Sequence, residues 1–208
     1  MITFTRALAI SAMTVATISC GDSVRSGTSP AYLVIDSLGG IRGTATTGGQ
    51  ATAVLISDVI TNVTTPAPCT TDKPCPTVFG DSGQASMHLA LKNPSAQTTP
   101  SQFNAITIDR VHIEYVRADG RGTPGVDVPY AWDGAATATV SSSSPTQVSF
   151  ELVRITSKEE SPLIQLRNSS QFITVIAHVT FYGHDQTGNA ASVTGSIQID
   201  FGNFGDPA

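Results

Sequence analysis

The chain has 208 residues, and 40% of them are hydrophobic, which is enough for a core and excludes a disordered composition. Only 13% of the residues are charged and the formal net charge is −5, so the chain lacks the basic surface that binds nucleic acid. Low charge, 12 prolines and many β-branched residues are typical of an exported, β-rich protein.

The first residues predict export. Residues 1–6 carry one basic side chain, Arg6, and residues 7–19 follow without a charge. As a helix this uncharged run spans about 20 Å, less than the ~30 Å hydrocarbon core of a bilayer. We therefore predict a cleaved signal peptide at residues 1–19 rather than an anchoring helix.

Residues Thr17-Ile18-Ser19-Cys20 resemble the lipobox of bacterial lipoproteins, although Thr17 stands where that family has Leu. The resemblance implies that Cys20 becomes the first mature residue and carries a lipid. Residues 20–30 are then a flexible tether, and the protein is held in the cell envelope through its lipid. The outer membrane or the cell surface is expected rather than the inner membrane. An ordinary secretory signal peptide is the alternative.

Beyond the tether, apolar and polar residues alternate with a period of two, which predicts half-buried antiparallel strands. One short helical turn is predicted at residues 161–166, where Ser161 and Pro162 form a typical helix start. We predict an all-β fold, an antiparallel immunoglobulin-like β-sandwich of about eight strands in a single domain at 31–206. In chain order the predicted strands are 31–38, 52–60, 84–92, 104–117, 135–141, 146–156, 171–183 and 191–202.

Two cysteines remain beside Cys20, namely Cys69 and Cys75. An even pair in an exported chain predicts a disulfide, and the flanking prolines place it in a loop. The alternative, a metal site, lacks two further ligands nearby.

The predicted strand 104–117 changes phase near Asp109-Arg110. One extra residue there would return all of its apolar positions to the same face, which is what a β-bulge does. A strand buried on both faces is the alternative. The apolar positions are Ile106 and Ile108 before the change, and Val111, Ile113 and Tyr115 after it.

Near the C-terminus, Val179-Thr-Phe-Tyr-Gly-His-Asp185-Gln-Thr-Gly188-Asn189 resembles the last hairpin of bacterial immunoglobulin-like and fibronectin-III-like domains. Residues 119–134 resemble a segment of uncharacterised bacterial lipoproteins. The first resemblance implies a fold class, and neither implies an activity. The two strands of this hairpin have the cleanest alternation in the chain, so we expect it to dominate stability.

Gly80-Asp81-Ser82-Gly83 matches the tetrapeptide around the nucleophile of trypsin-like serine proteases. In that family the histidine base precedes the serine, whereas all four histidines of this chain follow Ser82. We interpret the motif as a turn. The adjacent Glu159 and Glu160 diverge, so they do not form a glycosidase pair. Neither enzymatic activity nor a cofactor is expected.

The metal candidates are weak. Three of the four histidines lie on predicted strands, where surface positions are the default interpretation. Calcium is the better candidate, because several aspartates lie in glycine-rich loops, but Asp in turns is ordinarily structural. No metal site is predicted. The histidines are His88, His112, His178 and His184, and the aspartates are Asp119, Asp127, Asp133 and Asp185.

Tyr130 and Trp132 lie two residues apart, so in an extended segment their rings point the same way. Such a pair can stack on a sugar, with Asp127 and Asp133 as hydroxyl acceptors. These four residues are the candidate ligand face. The competing interpretation, which we favour, places the single tryptophan in the core of the sandwich.

These observations predict a non-enzymatic envelope lipoprotein that acts as a binding or scaffolding β-sandwich, with an envelope protein or a glycan as partner. One alternative is a carbohydrate-binding module that uses Tyr130 and Trp132. Another is an assembly subunit in which strand 31–38 pairs with the sheet edge of a neighbour.

Overall fold

A computed structural model describes residues 29–44, 49–93, 95 and 99–205. The predicted signal peptide, Cys20 and all but the end of the tether lie outside these residues. The fold is all-β, and the described residues form ten strands, one short helix and two 3-10 turns. None of the helices in this part of the chain is long and apolar enough to cross a membrane. The strands are β1 (Ala31–Ile41), β2 (Val54–Asp58), β3 (Thr61–Val63), β4 (Cys75–Thr77), β5 (Asp81–Leu91), β6 (Ile106–Arg117), β7 (Trp132–Val140), β8 (Thr146–Val153), β9 (Phe172–Asp185) and β10 (Ala190–Gly202).

The strands form two main sheets and a small ribbon. One sheet has the order β1-β5-β8, the other β2-β10-β9-β6-β7, and β3 pairs with β4. Most neighbouring strands are antiparallel, but β2 runs parallel to β10, so the larger sheet is mixed. The expected count of about eight strands was too low, because β3 and β4 are too short to show a period of two.

The inner faces of the two main sheets enclose one continuous apolar core. Phe150 of β8 meets Phe181 of β9 edge to face, with ring centroids 5.1 Å apart. Tyr115 of β6 lies beside Phe201 of β10, and its hydroxyl donates a hydrogen bond to the main-chain oxygen of Leu152 in the opposite sheet. Removal of these large side chains from water is the main stabilising contribution in such a sandwich.

The predicted β-bulge is confirmed. Against β9, the register of β6 shifts between Ile108 and Arg110 so that Asp109 is the extra residue. Against β7 the shift at the same place has the opposite sense, and the extra residue lies on β7 between Ala135 and Ala138. The five apolar positions on either side of it are all buried. Asp109 and Arg110 are both exposed, because the bulge places two consecutive side chains on the solvent side. Gly183 of β9 pairs with Ile108, and a Cβ at Gly183 would collide with the main-chain oxygen of Thr107.

The helical segment differs from the prediction. Helix α1 covers Ile155–Glu159, where the end of a strand was expected, and a 3-10 turn covers Leu163–Asn168. Ser161 does not cap this turn; Pro162 occupies that position, without a side-chain cap. The β-branched pair Ile155-Thr156 favours a strand locally, but tertiary contacts of Lys158 in the core outweigh that preference.

Candidate functional site

Tyr130 and Trp132 do not share an exposed face. Trp132 is 8% exposed and its indole N–H donates to the hydroxyl of Tyr115, whereas Tyr130 is 52% exposed. The guanidinium of Arg154 lies 4.8 Å from the centre of the Trp132 ring. The core interpretation of Trp132 is therefore confirmed. Strand β7 begins only at Trp132, so the alternation rule does not extend back to Tyr130.

The two aspartates of the candidate ligand face have separate partners. Asp127 accepts a hydrogen bond from the main-chain N–H of Thr123 and lies 3.5 Å from Arg121. Asp133, on β7, pairs with Arg110 at 2.7 Å and with His112 at 3.2 Å. Asp133 thus belongs to the outer face of the larger sheet, and Asp127 to the loop before β7.

The predicted disulfide between Cys69 and Cys75 is present, with an S–S distance of 2.07 Å. It closes the loop that joins the short strands β3 and β4.

The metal candidates do not form one cluster, and Asp185 among them is buried. Among the described residues, no group of three or more His, Cys, Asp or Glu side chains could hold an ion. Each histidine instead contacts one carboxylate or hydroxyl. The histidine pairs are His88–Asp36, His112–Asp133, His178–Ser196 and His184–Asp109.

Hydrogen bonds from Arg121 lower the pKa of the Asp119 carboxyl to about 2.

Asp185 organises the turn between β9 and β10. Its carboxylate accepts hydrogen bonds from the main-chain N–H groups of Thr187 and Asn189, both at 2.9 Å. Gly188 completes the turn with a φ of +86°, a conformation that glycine adopts without strain. Burial opposes ionisation of Asp185, but the hydrogen bonds from Asn189 and Thr187 outweigh it and hold its pKa below the usual 3.8.

We expect this turn to make stability depend on acid pH. Because the folded pKa of Asp185 is depressed, its contribution is complete above the ordinary value and is lost as the pH falls below about 4. Asp185→Asn should therefore reduce stability at neutral pH and flatten the acid dependence. Urea unfolding at several pH values measures both effects. Parallel pH profiles for the wild type and the variant would contradict the assignment.

A groove of about 470 Å³ lies on the outer face of the larger sheet, beside the bulge of β6. We name it the Tyr182 groove. Arg110 stacks on the Tyr182 ring, 4.0 Å from its centre, while Asp133 holds its guanidinium from the side. His184 and Asp109 pair at 3.2 Å across the adjacent strands. The remaining lining residues are Gly183, Gly188, Ala190, Ala191 and Ser192, which are mostly small and leave the polar groups accessible.

Sequence reasoning missed this groove, although it located the bulge whose residues Asp109 and Arg110 line it. The signal in the sequence that could have indicated the groove was the charged pair Asp109-Arg110 at the predicted bulge. Its partners Tyr182 and His184 come from a strand that lies far away in the chain, and only the register of β6 with β9 brings them together.

A second cluster of polar residues is buried where β2, β5 and α1 meet. Lys158 of α1 lies 2.8 Å from Asp81, and the Ser57 hydroxyl donates to the same carboxylate oxygen at 2.6 Å. Beside them, Asp58 is paired with Arg42 at 2.6 Å. The turn predicted at Gly80-Asp81-Ser82-Gly83 is wrong, because β5 begins at Asp81, whose carboxylate is buried in this cluster. No periodicity distinguishes Lys158 from an ordinary surface lysine.

Comparison of the chain with protein-family models, with curated proteins and with solved structures gave no match.

Proposed function

We propose that this protein is a non-enzymatic, lipid-anchored binding module of the bacterial cell envelope and that it binds a saccharide in the Tyr182 groove. The observation that carries the proposal is the groove itself, where a carboxylate, a guanidinium, an imidazole and a phenol line one accessible depression. The two-sheet architecture and the Asp185–Asn189 turn support an immunoglobulin-like relationship for the domain.

Export and anchoring rest on the N-terminal sequence and on the disulfide. The uncharged run at residues 7–19, followed by Ser19-Cys20, has the order of a lipoprotein signal peptide. The Cys69–Cys75 bridge is consistent with folding outside the cytoplasm. Strand β1 begins at Ala31, directly after residues 20–30, the segment that the proposal assigns to the tether between lipid and sandwich.

Cys20→Ser should release the protein from membranes, because the variant lacks the thiol that carries the lipid. Fractionation with immunoblotting measures the release. Intact-mass analysis of the wild type should find residues 1–19 missing and a lipid on Cys20. Wild-type protein that is soluble and begins at another residue would contradict the prediction.

A saccharide suits the groove because its hydroxyls donate and accept hydrogen bonds at close spacing. Asp109 supplies acceptors, Arg110 supplies donors, and Ser192 can do both. The stack on Tyr182 and the pair with Asp133 hold the Arg110 guanidinium in place before a ligand arrives. Such preorganisation lowers the entropic cost of binding.

Calorimetric titration with peptidoglycan fragments and lipopolysaccharide-derived oligosaccharides tests the proposal. We expect binding by the wild type and a loss of about tenfold or more in Arg110→Ala, because hydrogen bonds to a charged group contribute about 1.5–3 kcal/mol. The matched control is Arg121→Ala, whose guanidinium is paired with Asp119 away from the groove. Binding that depends on Tyr130 instead, or no binding to any saccharide, would contradict the assignment to this groove.

Assembly through β1 is a second candidate, favoured by the place of this strand in the fold. Strand β1 follows the tether directly and lies at the edge of the smaller sheet. Among the described residues, its outer edge is paired only at Gly40, which bridges to Thr52. An open edge of this kind can accept a strand from a neighbour. Light scattering at increasing concentration should show growing particles if assembly occurs, and a constant monomeric mass would exclude it.

A further inference from the structure

The side chains of Lys158 and Asp81 meet inside the protein. Lys158 Nζ lies 2.8 Å from Asp81 Oδ2, and the two side chains are 1% and 0% exposed. Asp81 begins β5, whereas Lys158 lies in α1, so the pair joins two separate elements. In an ion pair so deeply buried, the attraction between the charges offsets little of the free energy that their removal from water costs. A neutral, covalently joined pair would avoid that cost.

We propose that Lys158 and Asp81 form an intramolecular isopeptide bond after the chain has folded. Transfer of one proton from the ammonium to the carboxylate first gives a neutral amine beside a carboxylic acid. The amine then attacks Cγ of Asp81, so that the Nζ–Cγ bond forms and the Cγ–Oδ2 bond breaks. Oδ2 leaves as water with the carboxylic proton and one amine proton. The reaction is a condensation, and nothing is oxidised or reduced.

The surrounding hydrogen bonds match the amide product atom by atom. The main-chain N–H of Gly43 donates to Asp81 Oδ1 at 2.8 Å, so it holds the oxygen that is retained as the amide carbonyl. The same donor stabilises the negative charge on this oxygen in the tetrahedral intermediate. The Ser57 hydroxyl donates to the departing Oδ2.

The amide nitrogen also has its partner in place. Lys158 Nζ donates to the main-chain oxygen of Asp58 at 2.8 Å, and the single N–H of the product can keep that bond. The polar atoms of the new amide would therefore all be satisfied in a buried site, as buried polar groups in proteins generally are.

The environment also favours the attack. Burial lowers the pKa of the Lys158 ammonium, although the Asp81 carboxylate opposes this shift, and a neutral amine is the nucleophilic form. Two groups held in contact react as an intramolecular pair with a high effective concentration. Exclusion of water protects the product from hydrolysis. The resulting bond would tie the start of β5 to α1 and would hinder unfolding of a protein exposed outside the cell.

Mass spectrometry of the reduced, full-length exported protein tests the bond. The wild type should be lighter than its unbridged form by the mass of one water molecule. Lys158→Met and Asp81→Ala should each lack this loss. The matched control is Lys92→Met, which removes an exposed lysine and should retain it. Comparison of wild type and variants with the same N-terminus makes the result independent of N-terminal processing.

Peptide mapping of the wild type then locates the loss and does not depend on whether the variants fold. A branched peptide that joins residue 81 to residue 158 supports the bond. Separate linear peptides with an unmodified Asp81 and Lys158 overturn it. A water loss mapped instead to Asp119-Gly120 or Asp133-Gly134, where aspartate followed by glycine can cyclise to a succinimide, also overturns it.

Discussion

Phe201→Ala is expected to lower the free energy of unfolding by about 3–5 kcal/mol. Phe201 lies on β10, is 0% exposed, and packs edge to face against Tyr115 with ring centroids 6.4 Å apart. Its removal leaves a cavity in the core between the two main sheets, which the neighbouring side chains cannot fill completely. A loss of this size is comparable with the total stability of ~5–15 kcal/mol that is usual for a domain.

The matched control is Phe103→Ala, which deletes the same atoms from a side chain that is 87% exposed. We expect it to change stability by about 0.5 kcal/mol or less, as is usual for surface substitutions. Urea denaturation of both variants gives the two values. Equal losses would mean that burial of the odd-numbered positions of β10 does not stabilise the fold.

Asp81→Ala is expected to be as destabilising, at about 3–5 kcal/mol. The substitution leaves the buried Lys158 without its carboxylate, and it removes the acceptor of the Gly43 N–H and of the Ser57 hydroxyl. A buried donor without a partner keeps the full cost of its desolvation. The variant also lacks the proposed cross-link, which adds to the loss.

Two further variants test whether the loss in Asp81→Ala comes from the buried position of the carboxylate and from the unpaired amine of Lys158. Asp119→Ala removes a surface carboxylate paired with Arg121 and should leave the urea midpoint unchanged within error. The double variant Asp81→Ala with Lys158→Met should be more stable than Asp81→Ala alone, because it also removes the buried amine of Lys158 that has lost its carboxylate partner. If the double variant is no more stable, the unpaired amine is not the source of the loss.

Local patterns in the sequence predicted eight of the ten described strands and, in the clearest of them, which face is buried. Alternation with a period of two located β9 and β10 to within two residues, because each of these strands is apolar on one face only. The change of phase at Asp109 predicted the bulge against β9, since one inserted residue keeps Ile108 and Val111 on the same side of the strand. The even pair Cys69 and Cys75, taken with the expected export of the chain, was sufficient to predict the disulfide.

Contacts between distant segments were decided by the tertiary structure alone. The parallel pairing of β2 with β10, and the meeting of Arg110 with Tyr182, depend on strand order and register, which period-two patterns do not encode. Lys158 shows the same limit, because its sequence neighbours predict a solvated lysine. Its burial follows from an aspartate far earlier in the chain that compensates its charge, and only the packed sandwich brings the two together.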